Sequence, residues 1–280
     1  MKIAITGAKG IVGSAVTRHC ADKGYETVQI DINEFGENPI PNSTTKVADT
    51  AGDYDGFKKA LEGCDALIHL AAIPNPVNKS DAVVHSNNTN SAFNGFHAAG
   101  ELGIKRICYA SSVNAIGLAY ATQPLRFEYF PIDEETTPAP TDAYALAKSE
   151  TELQAKSFVK WYPGTKIACM RFHEVATREA VRKHHEADWE GGGIKQLWGW
   201  VRPEAAARAC LLALEKWDNY EGMEVFNVHA PTTAQDMSSE ELAKKYYPKV
   251  PITGDLSGNK GFWTTEKAQR ILGWEHYEQD

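Results

Sequence analysis

Three glycines at three-residue intervals directly follow the first apolar segment of the chain. That segment, Lys2–Thr6, has the pattern of a strand, and Gly7-Ala-Lys-Gly10-Ile-Val-Gly13 leads from it into a helical pattern over residues 11–23. Gly7 permits a tight turn, Gly10 lets the backbone approach an anion, and Gly13 lets helix and strand pack closely. Because N–H groups at a helix N-terminus attract anions, this strand, turn and helix predict a site for a dinucleotide pyrophosphate.

Strand-like and helical segments alternate through the first two thirds of the chain. The alternation predicts βαβ units, and the expected fold is α/β, a Rossmann-type doubly wound parallel sheet. Beyond residue 171 the alternation weakens. We expect a dinucleotide-binding domain over 1–171, and over 172–280 mainly a small C-terminal substrate-binding cap with some segments returning to the core. The predicted strands are 2–6, 26–31, 66–70, 105–110, 166–171 and 224–228, and the predicted helices are 11–23, 54–61, 80–102, 142–162 and 203–217.

Composition narrows the class of partner. The 280 residues carry a formal net charge of −8 without a cluster of Lys and Arg, which argues against nucleic acid and favours a small-molecule substrate. No stretch approaches the ~20 apolar residues of a membrane helix, and the first residues lack the pattern of a signal peptide. The five cysteines are odd in number and widely spaced, unlike a disulfide framework. We therefore expect a cytoplasmic protein without a membrane partner.

Asp31 closes the second predicted strand about twenty residues after the glycines. A carboxylate there would hydrogen-bond an adenosine ribose and repel a 2′-phosphate, which favours NAD over NADP. Lys9, inside the glycine turn, could attract a 2′-phosphate or be an ordinary solvated turn residue.

Tyr144 and Lys148 lie one helical turn apart in the sequence Asp142-Ala-Tyr-Ala-Leu-Ala-Lys-Ser149. Residues at i and i+4 share a helix face, so the Lys148 ammonium is expected to stabilise a Tyr144 phenolate and to lower its pKa from about 10. The spacing alone is common on exposed helices. Beside a dinucleotide site, however, it makes Tyr144 a candidate general acid or base.

The combination of motifs resembles extended short-chain dehydrogenase/reductases of the NAD-dependent epimerase/dehydratase family. The resemblance covers most of the chain, and its loop Ser111-Ser-Val-Asn114 is most similar to that of uronate dehydrogenase-like members. Beyond the glycine turn and the Tyr144–Lys148 pair, the motifs are Val47-Ala-Asp49, His69-Leu-Ala-Ala72, Asn88 and Asn94, Tyr109-Ala-Ser-Ser112, Phe226-Asn-Val228 and Leu272-Gly-Trp274.

This resemblance implies a role for each matching position. Tyr144 would be the general base during oxidation, Lys148 would hold the nicotinamide ribose, and Ser112 would bind the reacting oxygen. Asn88 would anchor backbone or a proton-path water, or be a structural residue. Tyr144, Lys148 and Asn88 would also contact the cofactor. The other cofactor contacts implied are Gly7, Lys9, Gly10, Ile11, Val12, Gly13, Asp31, Ile32, Asp49, Thr50, Leu70, Ala71, Ala72 and Phe172. For Asp49 a helix N-cap is the alternative, and for the alanines packing at the sheet end.

Departures from the family pattern narrow the reaction. Dehydratases carry an Asp-Glu pair after the catalytic hydroxyl, whereas this chain has Val113-Asn114. Nucleotide-sugar epimerases have a Tyr before the loop glycine and a larger cap, whereas Ile116 precedes Gly117 here. We expect an NAD-dependent oxidoreductase acting on a small sugar, sugar acid or polyol. Its substrate contacts would be Asn75, Ser111, Ser112, Asn114, Tyr144 and His173.

The segment after residue 171 carries further candidates. Arg178 or Arg182 could pair with a substrate carboxylate, although a plain surface role is favoured for each taken singly. His184 and His185 are adjacent, so they are expected to point to different helix faces, and no metal site is predicted. Trp189, Trp198 and Trp200 could form a substrate lid or the core of the cap.

Two other functions stay open. A nucleotide-sugar epimerase would use the same residues, and a non-catalytic NAD(P)-sensing regulator would keep the fold without chemistry. The resemblance also implies a homodimer through the helices at 80–102 and 142–162, whose apolar faces could instead belong to the core.

Overall fold

The computed structural model describes residues 1–37 and 40–277, and its centre is a parallel sheet of seven strands. The strand order is β3-β2-β1-β4-β5-β6-β7, with the reversal of winding between β1 and β4. This confirms the predicted doubly wound α/β fold. The strands are β1 Lys2–Thr6, β2 Glu26–Asp31, β3 Ser43–Val47, β4 Ala66–His69, β5 Arg106–Ser112, β6 Lys166–Phe172 and β7 Met223–Val228.

Helices cover both faces of the sheet. On one face α1 and α6 pack against each other and, with α8, bury one apolar cluster. On the other face α2, α3 and α4 bury a second cluster. The helices are α1 Ile11–Asp22, α2 Tyr54–Leu61, α3 Asp81–Glu101, α4 Ala143–Trp161, α5 Arg178–Ala187, α6 Pro203–Glu215, α7 Ser239–Tyr246 and α8 Glu266–Leu272.

Alternation along the strands explains the two clusters. In β1, Ile3 and Ile5 face the first cluster, while Ala4 faces the second. Successive side chains of a strand point to opposite faces, so a strand buried on both faces is apolar throughout. The strand patterns of the sequence therefore identify six of the seven strands, with boundary differences of one or two residues. β3 is missing from the predicted strands, because it lies at the edge of the sheet and its sequence is polar and largely exposed. The largest boundary difference is that β5 continues to Ser112, two residues beyond the predicted end.

A third apolar cluster lies over the carboxyl end of the sheet, and we call it the cap. Its side chains come from three stretches, residues 113–132, 197–198 and 242–263. Phe130 joins two of the stretches, since its N–H donates to Pro251 O at 2.9 Å. The long segment after Ile116 is thus part of the cap, whereas α6 and β7 belong to the core. Trp198 is fully buried and Trp200 is 4% exposed, which favours core packing over a mobile lid for these two tryptophans.

None of the helices within residues 1–37 and 40–277 combines the length and apolar character that a membrane span requires.

Candidate active site

The glycine turn forms a close-packed cradle at the carboxyl end of β1. Gly7 has φ +64°, and a Cβ there would lie 3.0 Å from Ala71 N. A Cβ on Gly13 would overlap the Gly7 carbonyl and lie 2.7 Å from Ala8 Cα. Gly10 caps α1 with extended backbone, and its N–H donates to Gly7 O at 3.0 Å. The backbone of the turn therefore packs directly against neighbouring backbone. The N-terminus of α1 faces the surface, where Ile11 is 64% exposed.

Asp31 lies beside this turn at the end of β2. Its Oδ2 accepts from Lys9 N at 3.1 Å and its Oδ1 accepts from Asn33 N at 3.1 Å. Oδ1 also accepts from Asn33 Nδ2 at 3.1 Å, so it is Oδ2 that keeps a lone pair for a ribose hydroxyl. The Lys9 ammonium donates to Glu34 O at 2.6 Å and lies 5.8 Å from the centre of the Phe35 ring. Lys9 is thus held by backbone and an aromatic ring.

A buried polar chain that sequence reasoning missed supports the backbone after β4. Thr6 Oγ1 accepts from Leu70 N at 3.0 Å and Ala71 N at 3.1 Å, which leaves its hydrogen for His69 Nδ1 at 2.8 Å. His69 Nε2 then donates to Ser91 Oγ at 3.2 Å, and Ser91 donates to Ala71 O at 3.0 Å. Burial lowers the pKa of His69 to about 3, so the ring is neutral and its tautomer is set by these partners. This chain of hydrogen bonds fixes the backbone of Leu70 and Ala71, which is predicted to line the cofactor.

The turn after β3 extends this chain toward the position predicted for the adenine. Thr50 Oγ1 and Ser91 Oγ lie 2.7 Å apart, and both side chains are buried. Asp49 Oδ1 accepts from Ala51 N at 2.9 Å, so Asp49 stabilises its own turn. The helix N-cap considered as its alternative role is wrong, because Asp53 caps α2 by accepting from Gly56 N at 3.0 Å.

Asn88 on α3 is hydrogen-bonded to the loop that follows β4. Its Oδ1 accepts from Ile73 N at 2.7 Å and its Nδ2 donates to Ile73 O at 3.0 Å. With both amide groups occupied and the side chain 1% exposed, Asn88 positions backbone. Asn75, in the same loop, accepts from Val77 N at 3.1 Å and so closes a turn.

Ser112, Tyr144 and Lys148 converge where β5 meets the start of α4. The side chains of Ser112, Tyr144 and Lys148 are all buried. The Lys148 ammonium donates to Ala110 O at 2.6 Å and lies 5.9 Å from the centre of the Tyr144 ring. Asp142 begins α4 by accepting from Ala145 N at 2.8 Å, which sets the rotation of the helix and the direction of both catalytic candidates.

The expected electrostatic effect of Lys148 on Tyr144 is wrong in this structure. Burial raises the pKa of Tyr144 above its usual value, and the hydrogen bond with Ser112 offsets part of that rise. Lys148 does not contribute, because its ammonium is directed at the β5 carbonyl of Ala110. Burial also lowers the pKa of Lys148 to about 8.

Ser111 and Asn114, the two other predicted substrate contacts of the β5 loop, are hydrogen-bonded to protein groups. Ser111 donates to Glu152 Oε1 at 2.6 Å, and Glu152 also pairs with Arg171 at 2.8 Å. Because β5 continues through both serines, Ser111 and Ser112 point to opposite faces of the sheet. The backbone N–H of Asn114 donates to Ser112 Oγ at 3.1 Å, while Asn114 Oδ1 accepts from Ala119 N at 2.8 Å. Asn114 thus orients Ser112.

His173, a predicted substrate contact, is buried. Its Nδ1 accepts from Glu174 N at 3.0 Å, and its ring packs against Gly199 and Trp263. Its Nε2 is buried without a hydrogen-bond partner in the described part of the chain. Burial lowers the pKa of His173 well below its usual value, so the ring is neutral.

Glu174, the residue after His173, is the centre of a cluster that sequence reasoning did not identify. His184 Nδ1 lies 2.8 Å from Glu174 Oε1 and His185 Nε2 lies 3.2 Å from Glu174 Oε2. The expectation that the two histidines diverge is therefore wrong, because the end of α5 lets both rings reach one carboxylate. One ligand atom from each residue lies within 4.8 Å of the others.

Arg178 and Arg182 both pair with Asp236. Their Nη atoms lie 3.3 and 2.8 Å from its carboxylate oxygens. Arg178 also donates to Gln235 O at 2.9 Å. These contacts favour the surface role over recognition of a substrate carboxylate.

The remaining predicted cofactor contacts lie along the same edge of the sheet. Phe172 is buried and pairs in register with Ser112. The others are Val12 and Leu70, half-buried against the first apolar cluster, Ala72, half-buried after β4, and Ile32, 63% exposed after Asp31.

Comparison with known proteins identifies the family. The model of the NAD dependent epimerase/dehydratase family matches residues 3–228. The chain belongs to this family. An NAD-dependent glucose-6-phosphate dehydrogenase of Haloferax volcanii is 31% identical over 165 residues, covering 56% of this chain and 62% of that protein. A GDP-mannose 3,5-epimerase of Oryza sativa subsp. japonica is 28% identical over 227 residues, covering 79% of this chain and 54% of that protein.

The solved structures share the fold. A mutated uronate dehydrogenase superposes with a TM-score of 0.69 at 20% identity, over 99% of this chain and 81% of its own. Membership of the family confirms the resemblance seen in the sequence.

The residues present fit NAD. The turn at Gly7, Gly10 and Gly13 leaves room for a ligand only because side chains are absent, and α1 directs its first N–H groups there. Asp31 places a carboxylate at the end of β2, where a ribose is bound in this fold. Lys148 is one helical turn from Tyr144 at the other end of the same edge.

Proposed function

We propose that this protein is an NAD-dependent oxidoreductase that interconverts a hydroxyl and a carbonyl on a small polar substrate, a sugar, sugar acid or polyol. The observation that carries the proposal is the buried group of Ser112, Tyr144 and Lys148 at the sheet edge that also carries the glycine turn, with the Lys148 ammonium 5.9 Å from the centre of the Tyr144 ring. Ser112 and Tyr144 offer a donor and a proton carrier to one substrate oxygen.

In the oxidative direction the residues would act in a fixed order. The Ser112 hydroxyl, oriented by Asn114, would hydrogen-bond the substrate oxygen. Tyr144 as phenolate would take the hydroxyl proton. NAD, when bound, supplies the acceptor for the hydride that leaves the same carbon, so the alcohol loses a proton and a hydride and becomes a carbonyl. Lys148 would hold the nicotinamide ribose. In the reverse direction Tyr144 would donate its proton.

The neighbours of Ser112 argue against dehydration. Elimination needs a base beside the catalytic hydroxyl. Val113 is 1% exposed and apolar, and the Asn114 amide is occupied by Ser112 and Ala119. Neither residue can remove a proton from a substrate carbon.

The experiment that tests the proposal follows NADH absorbance at 340 nm with NAD and, separately, NADP, against matched neutral sugars, uronic acids and polyols. We expect net NADH formation with NAD and one of these classes. An epimerase, the alternative, returns the hydride to the substrate, so it would change sugar configuration without net NADH. A sensor would bind NAD and give neither signal, and both of those results contradict the proposal.

Self-association is a further part of the proposal. Apolar side chains on α3 and α4 face solvent, among them Phe93 at 39%, Leu153 at 64% and Trp161 at 58% exposure. Exposed apolar patches on two adjacent helices suit a two-fold interface. We expect a dimer by analytical ultracentrifugation. A monomer at all concentrations would contradict the proposed self-association. The proposed cytoplasmic location agrees with five unpaired, buried cysteines and is tested by cell fractionation.

A further inference from the structure

Two imidazoles from the end of α5 converge on the carboxylate of Glu174, which lies where the chain leaves β6. The Glu174 carbonyl accepts from Val201 N at 2.9 Å, and this bond fixes the backbone at that point. His184 Nδ1 lies 2.8 Å from Glu174 Oε1, and His185 Nε2 lies 3.2 Å from Oε2. Within residues 1–37 and 40–277 this is the one group of three side chains with the residue types and spacing of a metal site.

The spacing of these groups suits a small divalent ion. One ligand atom from each of the three residues lies within 4.8 Å of the others. Zn²⁺ binds imidazole nitrogen and carboxylate oxygen at about 2.0–2.2 Å, so neighbouring ligand atoms of a tetrahedral site lie about 3.3 Å apart. The two nitrogen–oxygen contacts, at 2.8 and 3.2 Å, are already close to that value. The His184 side chain is 52% exposed, so its ring can rotate to admit the ion.

The nitrogens that face Glu174 are the ones that an ion would use. A neutral imidazole that donates to a carboxylate carries its proton on the facing nitrogen. A shift of this proton to the other ring nitrogen leaves a lone pair directed at the same place. His185 Nδ1 is buried without a hydrogen-bond partner in the described part of the chain, so moving the proton there breaks no existing bond of that nitrogen.

The segment after α5 holds the two rings in place. Trp189–Ile194 form a π-helical turn, a rare element that is often found at functional sites. A Cβ at Gly192 would lie 3.5 Å from His185 Cδ2 and 3.6 Å from His184 Cε1, so the backbone of Gly192 lies against both rings. Asp188 accepts from two N–H groups of this turn at 3.0 Å. The imidazoles are therefore positioned by packing before any ion binds.

The charges of α5 favour a cation at this point. Both histidines lie in the last turn of α5, and the carbonyl end of a helix attracts positive charge. The other cations of the helix are paired with different carboxylates, Arg178 and Arg182 with Asp236, and Lys183 with Glu179 at 2.7 Å. The positive side chains of α5 thus leave Glu174 to the histidines.

We propose that Glu174, His184 and His185 bind one divalent transition-metal ion of the Zn²⁺ class, with water completing the coordination. Two imidazoles select such an ion over Mg²⁺ and Ca²⁺, which prefer oxygen ligands. The ion links the exit of β6 to the end of α5. The inference does not depend on the proposed oxidoreductase activity.

Calorimetry on the chelator-treated full chain, without substrate or NAD, tests the site. We expect one Zn²⁺ per chain with a Kd in the micromolar range or tighter, and no binding of Mg²⁺ at the same concentrations. X-ray absorption at the zinc edge should show two imidazole ligands at about 2.0–2.1 Å. Zn²⁺ should also raise the Tm, because an ion that binds only the folded chain stabilises it by mass action. Absence of binding, a single imidazole ligand or equal binding of Mg²⁺ would contradict the proposal.

Glu174→Gln and His184→Ala each remove one ligand. Residues around the ligands of a metal site already contribute about 10–100-fold to affinity, so we expect each variant to bind Zn²⁺ at least ~100-fold more weakly. Both side chains meet solvent, so the variants should fold, and circular dichroism checks this. The fully buried His185 is left unchanged. Wild-type affinity in both folded variants would overturn the inference.

His85→Ala is the matched control. His85 Nε2 lies 2.7 Å from Glu150 Oε2, and both side chains are partly exposed. This pair has no third metal-ligating side chain among the described residues. The variant therefore removes an imidazole from a histidine–carboxylate pair outside the cluster and should bind Zn²⁺ like the wild type. An equal loss of binding in His85→Ala and His184→Ala would also overturn the inference.

Discussion

Replacing Tyr144 by Phe is expected to reduce kcat at least ~100-fold while the affinity for NAD changes little, since general acid–base catalysis contributes 10²–10⁴-fold. The phenyl ring keeps the packing against Tyr120 and removes only the hydroxyl that Ser112 contacts. Turnover is followed by NADH absorbance on the substrate found in the panel, and NAD affinity by calorimetry.

The pH profile separates this role from a structural one. Burial raises the pKa of Tyr144, so the phenolate is the minor form at neutral pH and the wild-type oxidation rate should rise with pH. Tyr144→Phe should lose that rise. Tyr129→Phe is the control, because Tyr129 bonds Asp133 at 2.7 Å in the cap and has no place in the proposed chemistry. Turnover of Tyr144→Phe within a few-fold of wild type would rule out Tyr144 as the proton carrier.

Local spacing in the sequence is enough to predict six of the seven strands, the glycine turn and the Tyr144–Lys148 pair. Those six strands are largely apolar because both of their faces are buried, and the helix that carries Tyr144 begins at the N-cap Asp142, so these features depend on neighbouring residues. The direction of Lys148 depends instead on where β5 ends, because its ammonium binds Ala110 O.

The parts that could not be predicted arise from contacts between distant segments. Ser111 faces Glu152 because β5 is two residues longer than its apolar pattern. His184 and His185 converge on Glu174 because α5 turns back over the end of β6, and no spacing in the sequence encodes that turn. The Thr6–His69–Ser91 chain joins two strands and a helix, and its only local signal is the polarity of Thr6 and His69 at buried strand ends.

Gly13→Ala is expected to weaken NAD binding and reduce kcat/KM by about 100-fold, the scale of a 1 Å displacement at a site. The added Cβ would overlap the Gly7 carbonyl and lie 2.7 Å from Ala8 Cα, and both contacts are backbone. Neither can rotate away, so the start of α1 must move off the turn. Overpacking of this kind also costs about 1–3 kcal/mol of stability, measurable by urea unfolding.

Gly36→Ala is the matched control for this overlap. Gly36 follows β2 on the same edge, and a Cβ there meets no atom of the described residues within 4 Å. Its φ lies outside the left-handed region, so alanine fits without strain. We expect Gly36→Ala to bind NAD like the wild type. If Gly13→Ala also did so in calorimetry, the pyrophosphate would have to lie elsewhere, because the displaced helix N-terminus could not hold it as before.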